Sequence, residues 1–121
     1  MLDIVEIIKA LGDGTRLRIL NLLCQETLCV CDLEVILKIS QSNASRHLTK
    51  LRQARLITGE KQAQWVYYRV DENCLQKYPF VRELLEKELV KEQYCQKDET
   101  RLRQYREQGG GCERTIRIKD V

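Results

Sequence analysis

Two cysteines separated by a single residue, Cys29 and Cys31 in the run TLCVCDL, carry the most reactive chemistry in the sequence. Thiolates are nucleophiles and ligands for soft ions, and neighbouring thiols can exchange with a disulfide. The spacing alone leaves four interpretations open. The two side chains could be buried apolar groups, half of a disulfide framework, a redox pair, or ligands for a soft ion.

The N-terminal segment MLDIVEIIKALGD argues against a disulfide framework. It lacks the basic start and continuous apolar core of a secretory signal, since Asp3, Glu6 and Lys9 interrupt its apolar residues. No apolar run approaches the ~20 residues that a membrane span needs. We therefore expect a cytoplasmic protein with no membrane partner, whose six cysteines are reduced and whose clustered thiols bind a metal or sense oxidation.

Helical periodicity predicts the elements that position the cysteine pair. Apolar residues at helical spacing predict a first helix over 3–11 and a second helix that Asp13 or Thr15 can cap. A short third helix should begin at Cys31 or Asp32. The cysteine pair is therefore expected at the start of the third helix.

Ser40 is a good N-cap for a fourth helix, QSNASRHLTKLRQA, which is polar and basic outside one narrow apolar stripe. Two helices joined by about three residues, the second polar and basic, are typical of a helix-turn-helix. For His47, structural packing and a DNA contact stay equally open, while metal ligation is disfavoured because the chain has one histidine. The predicted DNA contacts of this helix are Gln41, Ser42, Asn43, Ser45, Arg46, His47 and Lys50.

A β-hairpin should follow this helix directly. The segments LITGE and WVYYRV have strand character, and the short polar run KQAQ joins them. Between Lys38 and Arg69 there are seven basic residues and one acidic residue, which favours a polyanion such as double-stranded DNA as partner. A helix-turn-helix followed by a hairpin is a winged helix, and its predicted wing contacts to DNA are Lys61, Gln62 and Gln64.

The C-terminal third has no internal breaker from Pro79 to about Gln108, and its apolar stripe predicts one long helix. Such a helix exceeds what a small monomer core can bury, so we expect a homodimer interface shared with the first helix. The predicted fold class is mainly α with a β-hairpin wing, a winged helix-turn-helix that forms a helical dimer. Residues 1–108 form its DNA-binding and dimerisation domain, and residues 109–121 form a flexible tail.

Four runs together, LGDGTRLRILNLL, LCVCDL, SQSNASRHLTKLRQARLI and EKQAQWVYYRV, resemble the ArsR/SmtB family of dimeric, metal-responsive winged-helix repressors. The resemblance covers roughly residues 5–75 and is strongest to the arsenical-resistance branch. It implies a repressor rather than an enzyme, which controls arsenic-resistance genes and leaves its operator when As(III) or Sb(III) binds Cys29 and Cys31. Arg55 stands where the family often has glycine, at a position that can require positive φ.

The resemblance also implies that arsenite takes three thiolates. Some relatives supply the third from the position three residues after Cys31, which is Glu34 here. The third ligand is then absent, a solvent molecule or another thiol, for which Cys95 and Cys112 are the candidates. Cys24 is expected to be a buried core thiol and Cys74 a structural one. Residues two apart do not share a helix face, so joint ligation by the CxC pair requires a non-helical turn at residues 29–31.

Two other functions compete with this interpretation. A repressor of the same fold could sense Cd, Pb or Zn, or thiol oxidation. The Asp/His site that the family places on its last helix is disfavoured here, because the chain has one histidine. A thiol-based enzyme or redox carrier is less favoured, because no thioredoxin-like βαβ pattern surrounds the CxC run.

Overall fold

Seven α-helices and three β-strands make up residues 3–111, the part of the chain that the computed structural model describes. The strands form one antiparallel sheet in the order β1-β3-β2. In chain order the elements are α1 (Asp3–Leu11), α2 (Gly14–Gln25), β1 (Leu28–Cys29), α3 (Val30–Leu37), α4 (Gln41–Gln53), β2 (Ile57–Gln62), β3 (Trp65–Val70), α5 (Glu72–Lys77), α6 (Pro79–Glu83) and α7 (Gln93–Glu107).

Helices α2 and α4 start where their capping residues predict. The Asp13 carboxylate accepts a hydrogen bond from the Arg16 amide over 3.0 Å, and the Ser40 hydroxyl accepts one from the Asn43 amide over 3.2 Å. Helix α3 starts at Val30, slightly earlier than predicted. Helices α3 and α4 together form a helix-turn-helix, which confirms the predicted fold class.

The wing is the hairpin of β2 and β3, and its register pairs Gln62 with Trp65 across a two-residue turn. A third strand, β1, was missed from the sequence because it is only two residues long. It pairs with β3 so that Cys29 lies opposite Tyr67. The first cysteine of the CxC pair therefore belongs to the sheet that carries the wing.

The prediction of one long helix from Pro79 to about Gln108 is wrong. After α6 the chain forms a π-helical turn, Leu84–Glu88, and a 3₁₀ turn, Leu89–Lys91. It then becomes extended at Glu92, with φ −79° and ψ 129°. This residue ends the 3₁₀ turn and starts α7 in a new direction, although the sequence has neither proline nor glycine there.

Helix α7 packs against its own chain, whereas the sequence predicted that the long helix would bury its stripe in a dimer. Cys95, Leu102 and Tyr105 lie in the hydrophobic core with at most 4% of their surface exposed. Arg18 of α2 donates two hydrogen bonds, both of 2.8 Å, to the carboxylate of Asp98. These residues of α7 recur at helical spacing and form a second apolar stripe, whose burial stabilises the break at Glu92.

Arg55 has φ 61°, so the arginine occupies the left-handed position where the family often has glycine. It follows α4 in a Schellman motif, in which the Leu56 amide donates to the Leu51 carbonyl over 3.0 Å. We expect Arg55→Gly to raise the free energy of unfolding by about 1 kcal/mol, because glycine adopts positive φ without a Cβ penalty. Urea unfolding measures this change.

The matched control is Arg52→Gly, one turn earlier in the exposed end of α4. Glycine there should lower the free energy of unfolding by about 1 kcal/mol, because it weakens a helix interior. Destabilisation by both substitutions would contradict the left-handed conformation at Arg55.

Candidate metal-ion and DNA site

The CxC pair spans the boundary between a strand and a helix. Cys29 is extended, with φ −103° and ψ 175°, and serves as the N-cap of α3, while Cys31 lies in the first turn of that helix. Their sulfur atoms are 2.7 Å apart. The non-helical turn that joint ligation requires is therefore present, and it brings the two sulfurs close together.

Asp32 adds an oxygen to the pair and was not among the site residues predicted from the sequence. Its carboxylate accepts a hydrogen bond from the Cys29 amide over 3.0 Å and lies 3.3 Å from the Cys29 sulfur. Within residues 3–111, Cys29, Cys31 and Asp32 form a group whose ligand atoms all lie within 4.8 Å of one another. The signal for Asp32 was its place three residues after an N-cap, where an acid can return a hydrogen bond to the cap amide.

The other cysteines lie elsewhere or outside the described residues. Cys95 does not join the group, because it is buried on α7, and Cys112 belongs to the segment that the structure does not describe. Burial raises the pKa of the Cys95 thiol, and the carboxylate of Asp98 adds to the rise. Cys74 is buried as expected, but the expectation that Cys24 is buried is wrong, since it is exposed on α2.

A cavity of about 270 Å³ connects the cysteine pair with both elements of the predicted DNA-binding surface. Its lining includes Gln41 at the start of α4 and Gln64 and Trp65 at the wing. Glu34, at the position where some relatives carry a third cysteine, also lines it. An ion held by the pair would therefore lie next to the start of the recognition helix and beside the wing.

The predicted DNA-contact residues of α4, apart from His47, lie on its accessible surface. Gln41, Ser42, Arg46 and Lys50 are exposed, and Asn43 and Ser45 are half-buried. The Arg46 guanidinium donates to the Asn43 side chain, which orients both groups at the N-terminal end of the helix. In the wing, Lys61, Gln62 and Gln64 are exposed at the hairpin tip.

His47 is the exception, because its ring faces the interior. The residue is 6% exposed, and its Nδ1 lies 3.3 Å from the Arg16 guanidinium and 4.0 Å from the Asp13 carboxylate. Of the two roles left open for it, the structure therefore favours packing over a DNA contact. Burial lowers the pKa of His47; Asp13 opposes that change and Arg16 adds to it.

We expect this histidine to make folding sensitive to mild acid. Since its pKa is lowered in the native state, the unfolded chain takes up a proton that the native chain does not, once the pH falls below about 6.5. Its contribution to stability is thus complete above that pH and is lost as the pH falls. Urea unfolding at pH 7.5 and 5.5 measures the loss, and His47→Gln should reduce it; an equal loss in both proteins would contradict the assignment.

Comparison with solved structures gives the family. HlyU from Vibrio cholerae has a TM-score of 0.59 and is 32% identical, over 69% of this chain and 91% of that one. Residues 13–58 match the family described as "Bacterial regulatory protein, arsR family". The chain belongs to the ArsR family. The predictions of a winged-helix regulator, and of a regulatory protein rather than an enzyme, are thereby confirmed.

Other relatives match over different lengths. A homodimeric winged helix-turn-helix DNA-binding domain from Mycobacterium bovis has a TM-score of 0.61 and is 25% identical, over 75% of this chain and 85% of that one. The arsenical resistance operon repressor of Escherichia coli is 46% identical over 67 residues, which are 54% of this chain and 57% of that protein. This ArsR-family chain thus spans little more than half the length of that repressor.

A cadmium resistance regulatory protein, the CadC homolog of Staphylococcus aureus, is 36% identical over 71% of this chain and 67% of that protein. The segment that matches the ArsR family description runs from the Asp13 cap to the start of β2. It contains the cysteine pair and the recognition helix, whereas α7 lies beyond it. In residues 3–111, no helix combines the length and the apolar character needed to cross a membrane.

Proposed function

We propose that this ArsR-family protein is a homodimeric repressor that binds double-stranded operator DNA and releases it when As(III) or Sb(III) binds Cys29 and Cys31. It would act in the cytoplasm and control arsenic-resistance genes. The observation that carries the proposal is the position of the cysteine pair. Cys29 pairs with the wing strand β3, and the cavity beside both sulfurs reaches Gln41 of the recognition helix.

The DNA-binding part rests on charge and exposure. Helix α4 presents exposed amide, hydroxyl and basic groups from its N-terminus, the end that a recognition helix brings to base edges. Lys61 at the exposed hairpin tip would reach the phosphate backbone or the minor groove. Neutralised phosphates supply affinity, and the amide and guanidinium groups supply discrimination between bases.

The inducer part rests on ligand chemistry. Soft ions prefer thiolates, and the positive end of a helix dipole stabilises a thiolate at the N-terminus of α3. Among the thiols predicted as a third ligand, Cys112 stays a proposal, and Cys95 would have to leave the core. Ion binding can shift the protein away from DNA only if the ion binds the DNA-free conformation more tightly.

The homodimer is supported by apolar residues that the monomer leaves exposed. Ile4 and Ile8 of α1 are 39% and 54% exposed, and Phe80 of α6 is 42% exposed. Burial of such side chains against a second copy removes apolar surface from water. The interface would thus use α1 and the segment around α6, while α7 stays with its own chain.

A second candidate inducer follows from the oxygen of Asp32. Two sulfurs and one carboxylate oxygen suit a borderline ion such as Zn²⁺ or Cd²⁺ better than a set of thiolates alone would. The relative named for cadmium resistance agrees with this alternative.

One titration separates these candidates. The protein is bound to fluorescent operator DNA, and arsenite, antimonite, Cd(II), Zn(II) or peroxide is added while the anisotropy is recorded. We expect arsenite and antimonite to release the DNA at concentrations well below those of Zn(II) or peroxide. Release by Cd(II) without release by arsenite would replace the proposed inducer, and release by peroxide alone would indicate a sensor of thiol oxidation.

A further inference from the structure

Helix α7 contacts α3 near both ends of α3. Near the N-terminus of α3, the Tyr105 hydroxyl donates to one oxygen of Asp32 over 2.7 Å. Near its C-terminus, the Arg101 guanidinium donates to the backbone oxygens of Ile36 and Val35 over 2.6 and 3.1 Å. The Tyr105, Asp32 and Arg101 side chains are all buried. Helix α7 therefore holds α3, the helix that carries Cys31, near both ends of α3.

Helix α7 is itself fixed to α2. Besides the two hydrogen bonds from Arg18 to Asp98, the Gln25 amide donates to the Glu99 carboxylate over 2.9 Å. Asp98 is 1% exposed, so this charge-assisted pair is well shielded from water on its acidic side. Because α7 cannot easily follow a movement of α3, any such movement has to break the contacts at Tyr105 or Arg101.

The carboxylate of Asp32 connects α7 to the cysteine pair. One Asp32 oxygen accepts from the Tyr105 hydroxyl, and the other accepts from the Cys29 amide. The two sulfurs are 2.7 Å apart. Two thiolates on one ion, with bonds of about 2.3 Å and angles of about 90–110°, lie about 3.3–3.8 Å apart. An ion held by both sulfurs would therefore move them apart, and any shift of the Cys29 backbone would strain the hydrogen bonds that Asp32 makes with the Cys29 amide and the Tyr105 hydroxyl.

We propose that α7 is a clasp that holds α3 in the DNA-binding conformation, and that Tyr105 and Arg101 are positioning residues that set the affinity of the cysteine pair for its inducer. The inference rests on the proposed function, since it concerns the same ion site. In the closed state the Tyr105 hydroxyl is bonded to Asp32, and in the open state this bond is broken. The hydrogen bond stabilises the closed state and therefore opposes binding of the ion. Weakening the clasp raises the population of the open state and thereby tightens ion binding.

Tyr105→Phe removes the hydroxyl and keeps the buried ring. We expect the DNA-free variant to bind arsenite about tenfold more tightly than the unchanged protein, because a hydrogen bond to a charged group opposes opening. The operator affinity without arsenite should fall by a smaller factor or stay unchanged. The matched control is Tyr94→Phe, which removes the same hydroxyl from a 67% exposed position on α7 and should change neither quantity.

A second readout needs no inducer. Amide hydrogen exchange of residues 29–37 in the ion-free protein should be faster in Tyr105→Phe and unchanged in Tyr94→Phe, because the clasp is weakened in the first variant only. Arg101→Lys keeps the charge and loses the fork that holds two carbonyls. Arg101→Lys should change the arsenite affinity and the amide exchange of residues 29–37 in the same direction as Tyr105→Phe. It serves as the test if Tyr105→Phe does not fold.

The outcomes separate the clasp from the proposed function. Arsenite affinity that is unchanged or weaker in Tyr105→Phe, or unchanged exchange in residues 29–37, would overturn the clasp. Failure of arsenite to bind or to release DNA from the unchanged protein would overturn the proposed inducer instead. In that case faster exchange in Tyr105→Phe still supports the clasp, and unchanged exchange still overturns it.

Discussion

Replacement of both Cys29 and Cys31 by serine should abolish the release of operator DNA by arsenite. The substitutions remove the coupling between ion binding and DNA binding, which changes the affinity for DNA about 5–150-fold in typical regulated proteins. A hydroxyl is a poor ligand for a soft ion, so the ion no longer favours the DNA-free conformation. Serine keeps nearly the shape of cysteine, and its hydroxyl can still approach Asp32, so affinity for DNA should stay within about twofold. Anisotropy titrations with and without arsenite measure both quantities.

The matched control for the cysteine variant is Cys24→Ser, which removes an exposed thiol from α2. It should respond to arsenite like the unchanged protein. If the double variant still releases DNA at the same arsenite concentration, the inducer is bound elsewhere in the chain. Loss of the response in Cys24→Ser as well would point to general thiol modification rather than to the CxC site.

Replacement of Arg46 and Lys50 by alanine should weaken operator binding by about 100-fold, since each lost contact to a base or phosphate costs about 1–3 kcal/mol. Both side chains are exposed on the recognition helix. The dependence of log affinity on log salt should also become less steep by about 0.9 for every phosphate contact that is lost. Titrations of fluorescent operator at several salt concentrations give both values.

The control for the recognition-helix variant removes the same number of positive charges from α7. Lys97 and Arg103 are exposed there, and their double replacement by alanine removes two positive charges from another helix. Binding should weaken by less than about threefold, because only the long-range attraction changes. An equal loss in both double variants would contradict the assignment of α4 as the DNA-reading helix.

Several structural features of the site follow from local rules and could be predicted. Ser40 and Asp13 cap their helices because their side-chain oxygens satisfy free amides in the first turn. The positive φ of Arg55 follows from the way that α4 ends. The non-helical turn at the CxC pair was predicted from the hypothesis that both sulfurs bind one ion, because residues two apart share a side only in an extended segment.

Other features depend on partners that are distant in the chain. Asp32 reads locally as a capping acid, but its second oxygen is held by Tyr105, 73 residues away. The break at Glu92 has no local signal in proline or glycine, and it exists because α7 gains buried contacts by turning back. The packing role of His47 depends on Arg16 and Asp13, which lie beside its ring but are distant in the chain.

The sequence by itself determined the winged helix-turn-helix, the basic recognition helix and the cysteine pair at the start of α3. Each depends on capping, periodicity and ligand chemistry within a few residues. Only the tertiary structure decided that the cysteine pair is joined to the wing through β1 and to α7 through Asp32. The physical reason is that pairing and burial between distant segments leave no mark on the residues near the site.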